Sequence, residues 1–106
     1  MKEIKAIIQP SKLPRIREAF SHVLQFPGMS VCRIEGCSHH EAEEVRQSVR
    51  EALTDFSPKV RIEIVCPEEK VAEIVGIIGD IADTGRPGDG MVWVTPVDSF
   101  RRFSGE

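Results

Sequence analysis

The chain has 106 residues, 41% of them apolar, and this length predicts one small domain over residues 1–106 whose core would gain stability from oligomerisation. Its formal net charge is −3, with acids and bases interspersed, which excludes the basic stripe of a nucleic-acid-binding protein. No apolar run is long enough to cross a bilayer, so no membrane span is expected.

The first half of the chain predicts a strand, a helix and a second strand. Residues 2–9 alternate between apolar and polar side chains and stop at Pro10, as in a β-strand. Ser11 is a candidate N-cap for the following helix, and Pro14 suits its first turn. Residues 30–35 predict the second strand. The apolar residues at helical spacing, which define the expected buried face of the helix, are Leu13, Ile16, Ala19, Phe20, Val23 and Leu24.

The second half of the chain repeats this order. Residues 59–66 alternate strictly and predict a strand. Pro67 is expected to begin the next helix and Gly85 to end it. Residues 91–97 predict the last strand. The buried side chains expected from the strand at 59–66 are Val60, Ile62, Ile64 and Cys66.

Two successive β-α-β units predict an α+β fold, a ferredoxin-like βαββαβ sandwich with a four-stranded antiparallel sheet and two helices on one face. The opposite face has no helix to cover it, and its apolar residues favour packing against another copy of the chain. Between the units, Ser38-His39-His40-Glu41 has the form of a capping box. The apolar spacing behind it predicts an extra amphipathic helix over residues 41–54.

The segment Thr84-Gly85-Arg86-Pro87-Gly88-Asp89-Gly90 joins the second helix to the last strand. Glycine adopts positive φ and lets the backbone approach a ligand closely, so successive amide groups here can form a concave nest for a phosphate. The spacing matches neither a Walker loop nor a dinucleotide fingerprint. An ordinary turn from helix to strand also explains the glycines.

Soft donor atoms lie close together at Cys37, His39 and His40, and they could hold zinc, copper or nickel. The same residues are also ordinary polar groups at the start of a helix. Three cysteines without paired spacing and no secretory signal favour reduced thiols in the cytoplasm, with Cys32 and Cys66 as small packing residues. No nucleophile with a positioned base and no carboxylate pair is visible, so no enzymatic activity is expected.

Several blocks of the sequence have a distinctive order and spacing. They are residues 1–10 (MKEIKAIIQP), Gly28-Met29-Ser30-Val31, residues 55–65 (DFSPKVRIEIV), Thr84 to Val94 with its Gly-Asp-Gly triplet, and Ser104-Gly105-Glu106. Together they resemble the PII signal-transduction proteins of nitrogen regulation, and the likeness covers nearly the whole chain.

This resemblance implies a homotrimer whose clefts between subunits hold an adenine nucleotide (ATP, ADP or AMP). It implies a regulatory role in nitrogen or transport control, exerted on a transporter or enzyme. A T-loop would span residues 37–57, with positions 41–54 contacting the partner, and a phosphate-binding B-loop would span residues 84–91. The positions that align with the family's nucleotide-binding residues are Ser30, Gly36, Ser38, His39, His40, Lys59, Val65, Gly88, Asp89, Gly90, Met91 and Arg101.

Some positions depart from the family pattern. Met91 stands where the family has a phosphate-contacting lysine, Phe103 where it has a second tail arginine, and His39-His40 where it has Arg-Gln. Each lost charge-assisted contact would weaken phosphate binding by about 1.5–3 kcal/mol, which penalises a triphosphate more than a mono- or diphosphate. Ala52 replaces the modifiable tyrosine, which excludes tyrosine uridylylation.

The block at 84–90, followed by Pro96-Val97-Asp98, also resembles PII-like proteins associated with heavy-metal efflux. The alternative hypothesis is therefore a metal-responsive or metal-binding trimer with a degenerate nucleotide site. The pair Arg101-Arg102 belongs either to the phosphate site or to a solvated tail.

Overall fold

The computed structural model describes residues 1–37 and 56–103. Within these ranges, strands and helices follow in the predicted order: β1 (Lys2–Ile8), α1 (Leu13–Phe20), β2 (Ser30–Gly36), β3 (Ser57–Cys66), α2 (Val71–Ala82) and β4 (Gly90–Pro96). A short 3₁₀ turn precedes each helix, at Pro10–Lys12 and at Glu68–Lys70. The capping box at 38–41 and the helix expected over 41–54 lie outside the described residues.

The strands form one antiparallel sheet in the order β2-β3-β1-β4. In β1, Ala6 lies opposite Ile62 of β3 on one side and opposite Val92 of β4 on the other. Strand β2 pairs with the outer side of β3, where Val31 lies opposite Ile62. This arrangement confirms the predicted α+β, ferredoxin-like fold.

The core lies between the two helices and one face of the sheet. Alternation along β1 and β3 turns every second side chain toward the helices, whose apolar stripes cover them. Burial of each large aliphatic side chain contributes about 1.5–3 kcal/mol, so this layer provides most of the stability. Phe20 is buried and stacks on Phe26, with ring centroids 4.6 Å apart. The buried residues of the sheet are Ile4, Ala6, Ile8, Val60, Ile62, Ile64 and Cys66.

Two expectations for the first helix are wrong. Ser11 lies inside the 3₁₀ turn, and the residue at the N-cap of α1 is Lys12, which makes no side-chain capping hydrogen bond. Because α1 ends at Phe20, Leu24 lies beyond the helix and is 77% exposed, whereas Val23 is buried. Helical spacing holds only while the backbone stays helical, and the chain turns away at Gln25, where φ is +57°.

The expected ends of the second helix are also wrong. Pro67 precedes the 3₁₀ turn, and α2 begins only at Val71. At the other end Asp83 is already extended (φ −86°, ψ 106°), so the helix ends before Gly85 is reached. Gly85, with φ +78°, donates its N–H to the Asp83 carboxylate at 3.0 Å and thereby turns the chain into the following loop.

The sheet face that points away from the helices is partly apolar. Met91 and Trp93 of β4 remain exposed there, and Ile7 lies opposite Met91 in the register. Cys32 of β2 lies on the same face and is exposed, so its interpretation as a packing residue is wrong for a single copy. Cys66 is buried, and burial raises the pKa of its thiol, as expected of a packing residue. Among the described residues, no helix has the length and apolar character needed to cross a membrane.

Candidate functional site

The loop at 84–90 is closed by the carboxylate of Asp89. This group accepts hydrogen bonds from the Thr84 N–H at 2.6 Å, from the Thr84 hydroxyl at 2.8 Å and from the Arg86 N–H at 3.1 Å. The two bonds from Thr84, and then that from Arg86, favour the ionised form and hold the pKa of Asp89 below its ordinary value. Asp89 therefore fixes the shape of the loop through the loop's own donors.

The carbonyl oxygen of Gly88 is the point where the loop is attached to the sheet. It accepts hydrogen bonds from Lys59 Nζ at 2.6 Å and from Gln9 Nε2 at 2.8 Å. Gly88 has φ +85°, a conformation that favours glycine. Among the described residues the Gly88 N–H donates to no partner. The loop thus offers an available backbone donor of the kind that anions bind.

Gly90 occupies a position that admits no other residue. Its φ is +122°, and a Cβ at this position would lie 1.8 Å from the carbonyl oxygen of Ile7. The absence of a side chain lets β4 begin in register with β1 directly after the loop. The close approach that this glycine permits is made to β1, and the predicted approach of the loop backbone to a ligand stays a prediction.

Lys59 is a buried cation for which the described part of the chain provides no counter-ion. Its residue is 5% exposed, although it lies on the sheet face away from the helices. Among residues 1–37 and 56–103, no carboxylate lies within salt-bridge distance of its ammonium group. Part of its stem is covered by Gly36, where a Cβ would lie 3.1 Å from the Lys59 Cγ. A buried charge of this kind is costly unless something of opposite charge pairs with it.

A groove of about 390 Å³ lies between the loop, the end of α2 and the start of β4. Its lining includes the apolar Ile78 and Val92 and the basic Arg86. Lys12 is close enough to affect the pKa of Asp89, so it adds a further positive charge near the loop. The surroundings of the loop therefore combine apolar surface with cationic groups.

Other predicted site residues lie at the opposite end of the sheet. Val65 is six residues from Lys59 along β3, which corresponds to about 20 Å of extended chain. Ser30 lies opposite Glu63 at that same end. A second groove, of about 490 Å³, is lined there by Val65 and Phe100, among others. One copy therefore does not bring all the predicted nucleotide-binding residues together.

Three further predicted site residues, Arg101, Met91 and Cys37, lie within the described ranges. Arg101 lies over the ring of Phe103, with its guanidinium carbon 5.4 Å from the ring centroid. Met91 is 62% exposed at the start of β4. Cys37 is exposed, and no group of three metal-ligating side chains occurs in the part of the chain that the structure describes. The other predicted residues, Ser38, His39 and His40, lie outside the described ranges.

Sequence reasoning missed Gln9 as part of this site, and although it placed Thr84 in the loop it gave that residue no role there. Gln9 follows β1 and ends up beside the loop because β1 pairs with β4, whose first residue is Gly90. A signal was available, since a polar side chain that ends a buried strand must face some polar group. Thr84 is five residues from Asp89, and this spacing gave no local motif that would reveal their hydrogen bonds.

The whole chain, residues 1–106, matches the family model described as nitrogen regulatory protein P-II. The chain belongs to the nitrogen regulatory protein P-II family. It is 37% identical over 103 residues to the protein of that name from Azospirillum brasilense, covering 97% of this chain and 91% of the relative. It is 40% identical over 97 residues to nitrogen regulatory protein P-II 1 of Escherichia coli strain K12, covering 92% and 86% respectively.

P-II membership confirms the resemblance drawn from the sequence blocks. It makes the chain a regulatory, signal-transducing protein, because that is the role of the family. The metal site at Cys37, His39 and His40 stays a prediction.

Proposed function

We propose that this P-II family protein binds an adenine nucleotide at the loop 84–90, in clefts between the copies of a homotrimer, and signals its occupancy to a protein partner. The observation that supports this proposal best is the buried ammonium group of Lys59, which has no counter-ion among the described residues. It lies 2.6 Å from the Gly88 carbonyl, at the base of a loop whose Gly88 N–H is also available.

A phosphate group would pair with the Lys59 ammonium group and accept a hydrogen bond from the Gly88 N–H. An ammonium group has three donors, and the described residues accept from only one of those of Lys59. Phosphate oxygens accept strong, charge-assisted hydrogen bonds from such a group, and a glycine-rich loop adds backbone donors. The Lys59 ammonium group donates to the carbonyl of the same residue, Gly88, whose N–H is available, which favours one shared anionic ligand.

The distribution of the other residues supports a site built from two copies. Val65 and Ser30 lie at the far end of the sheet, about 20 Å of strand away from Lys59, which is too far for one compact contact set. The exposed apolar face with Met91 and Trp93 supplies a surface that a second copy would cover. A threefold assembly would place the loop end of one copy against the Val65 end of the next.

The signal would reach the partner through residues 41–54, which lie between β2 and β3. Gly36, the last residue of β2, packs on the stem of Lys59, so the start of this connection touches the proposed phosphate site. A nucleotide that interacts differently with two arrangements of the connection shifts the population between them. The partner, a transporter or an enzyme, would read that population.

Titration calorimetry and light scattering together test the proposal. The purified protein is titrated with AMP, ADP and ATP, and with adenosine as the uncharged control. We expect a trimer that binds one nucleotide for each chain, and adenosine weaker by at least about tenfold, because it lacks the phosphate that pairs with Lys59. A monomer in solution, or no heat with any nucleotide, would contradict the proposal.

A further inference from the structure

We infer that the groove between the end of α2 and the start of β4 is a second binding site, and that its ligand is a free α-amino acid with an apolar side chain. The groove lies beside the loop 84–90 and is lined by apolar residues and by charges of both signs. This lining suits a small zwitterion that carries an apolar group. The site is distinct from the proposed nucleotide site and needs no second copy.

The groove and the buried ammonium group of Lys59 lie on opposite faces of the sheet. Ile8 and Val92 line the groove, and both pack in the core layer beneath the helices. Lys59 precedes Val60, which lies opposite Ile8 in the register, so alternation turns Lys59 to the other face. A second copy that covers this other face, where Trp93 is exposed, would pack on the side of Lys59 and not on the side of the groove.

The size of the groove suits a molecule as small as an amino acid. Its volume of about 390 Å³ is at the lower end of the range of about 300–1,000 Å³ that small-ligand pockets occupy. Gly79 of α2 lines the groove and leaves space there, because no atom from another part of the chain lies within 4 Å of the position that a Cβ would take. Ile78 and Ala82 add apolar surface. This part of the groove can therefore receive an aliphatic or aromatic side chain.

Two opposite charges line the groove without neutralising each other. The carboxylate of Asp83 accepts a hydrogen bond from the Gly85 N–H at 3.0 Å, and no cation of the described residues pairs with it. The guanidinium group of Arg86 makes no hydrogen bond or ion pair within the described part of the chain. An amino acid could pair its ammonium group with Asp83 and its carboxylate with Arg86, through charge-assisted hydrogen bonds.

The end of α2 favours an ammonium group near Asp83. The carbonyl groups at the C-terminus of a helix together carry about half a negative charge, which basic side chains often balance. The last turn of α2 contains no basic residue. Asp89 adds a second carboxylate to the lining, beside the single guanidinium group of Arg86. The lining therefore accepts one ligand ammonium group readily, and it disfavours a ligand with two carboxylates, such as glutamate.

Titration calorimetry of the full chain with leucine and phenylalanine tests the site. The control ligands each lack one feature of leucine: 4-methylpentanoate lacks the ammonium group, 3-methylbutylamine lacks the carboxylate, and glycine lacks the side chain. We expect leucine or phenylalanine to bind with a Kd of about 1 mM or tighter. Each control, and also glutamate, should bind more weakly than leucine by about tenfold or more, because it loses a charge-assisted contact or apolar burial, or adds a carboxylate.

Two glycines of α2 provide matched variants. Gly79→Leu fills the groove, whereas Gly76→Leu places the same side chain on an exposed position of α2 outside the groove. At neither position does an atom from another part of the chain lie within 4 Å of the new Cβ, and leucine favours a helix over glycine by about 1 kcal/mol. Both variants should therefore fold, which thermal unfolding checks. Gly79→Leu should lose amino-acid binding, and Gly76→Leu should keep the wild-type Kd within about threefold.

Arg86→Gln removes the guanidinium group and leaves the backbone N–H that donates to Asp89. It should weaken the binding of leucine by about tenfold and change the binding of 3-methylbutylamine by less than about threefold, because the amine has no carboxylate to pair with Arg86. An equal loss for both ligands would contradict the pairing of Arg86 with the ligand carboxylate.

The titrations are repeated in saturating ADP, where leucine should still bind because the two sites lie on opposite faces of the sheet. Competition between leucine and ADP would overturn the inference, since it would place leucine at the phosphate site. The absence of binding by both amino acids, or a folded Gly79→Leu variant that binds them as the wild type does, would also overturn it. Amino-acid binding that is lost in Gly79→Leu, in a protein that binds no nucleotide, would support this site while contradicting the proposed function.

Discussion

The ammonium group of Lys59 lies 2.6 Å from the carbonyl oxygen of Gly88 and joins the middle of the sheet to the glycine-rich loop. The same side chain is buried and is covered in part by Gly36 at the end of β2. One residue therefore contacts both the loop that precedes β4 and the point where the chain leaves β2. A ligand that changes the position of Lys59 would therefore change the contacts of both the loop before β4 and the end of β2.

Two glycines with positive φ should respond differently to the same substitution. Gly90→Ala places a Cβ 1.8 Å from the Ile7 carbonyl oxygen, and it should lower the free energy of unfolding by more than about 3 kcal/mol. Gly85→Ala, where no atom lies within 4 Å of the new Cβ, should cost only about 1–2 kcal/mol for its φ of +78°. Urea unfolding measures both. Equal losses of unfolding free energy in the two variants would contradict the close approach of Gly90 to β1.

The hydrogen bonds to Asp89 predict a dependence of stability on pH. The pKa of Asp89 is lowered in the folded state, so its contribution is fully present above the ordinary aspartate pKa of about 3.9 and disappears as pH falls through the folded value. Asp89→Asn should therefore be less stable than the wild type at pH 7, and this difference should shrink toward pH 3. Denaturant unfolding across this range measures the difference. A difference in unfolding free energy between the two proteins that stays constant with pH would show that the charge of Asp89 does not stabilise the loop.

The first helix offers a matched pair of substitutions. Ile16→Ala removes a fully buried side chain of α1 and should cost about 2–5 kcal/mol in unfolding free energy. Leu24→Ala changes a residue that is 77% exposed beyond the helix end, and it should stay within about 0.5 kcal/mol of the wild type. A large loss for Leu24→Ala, measured by urea unfolding at the same protein concentration as the wild type, would contradict the fold at this turn.

The fold was largely predictable from the sequence because its signals are local. Strict alternation over residues 59–66 and helical spacing from Leu13 to Phe20 each follow from one element and from which of its faces is buried. The errors lie at element ends. Ser11 and Gly85 are good residues for helix ends, yet 3₁₀ turns and the extended Asp83 moved the ends of both helices.

The site was predictable only in part. The role of the loop glycines could be predicted because glycine is the residue type that readily adopts positive φ. The contacts of Gly88 with Gln9 and Lys59 join positions 79 and 29 residues apart, and no local pattern encodes such distances. The burial of Lys59 was equally hidden, because lysine is rarely buried and its position in β3 alternates with apolar residues like any exposed side chain.

A site shared between copies predicts complementation of inactive variants. Lys59→Met alters the loop end of the cleft, and Val65→Glu alters the end at Val65. A homotrimer of either variant alone should therefore fail to bind ADP. When the two variants are unfolded, mixed in equal amounts and refolded, about one quarter of the clefts should combine a wild-type loop end with a wild-type Val65 end. Calorimetry should then recover about that fraction of the wild-type stoichiometry. No recovery from mixed trimers would indicate a site within one copy.

The central claim is that a nucleotide phosphate compensates the buried charge of Lys59, and thermal unfolding of Lys59→Met with and without ADP tests it most directly. Lys70→Met is the control, because Lys70 donates to the Leu24 carbonyl and pairs with Glu73, and among the described residues it makes no hydrogen bond or ion pair with the loop. Without ADP, Lys59→Met should be within about 1 kcal/mol of the wild type or more stable, since it removes an uncompensated buried charge.

With ADP at one hundred times its Kd, the wild type and Lys70→Met should each gain about 2.7 kcal/mol, and Lys59→Met should gain almost nothing at the same concentration. An equal gain in Lys59→Met would contradict the account, as would a loss of more than about 3 kcal/mol in the ligand-free variant, which would make Lys59 a structural residue.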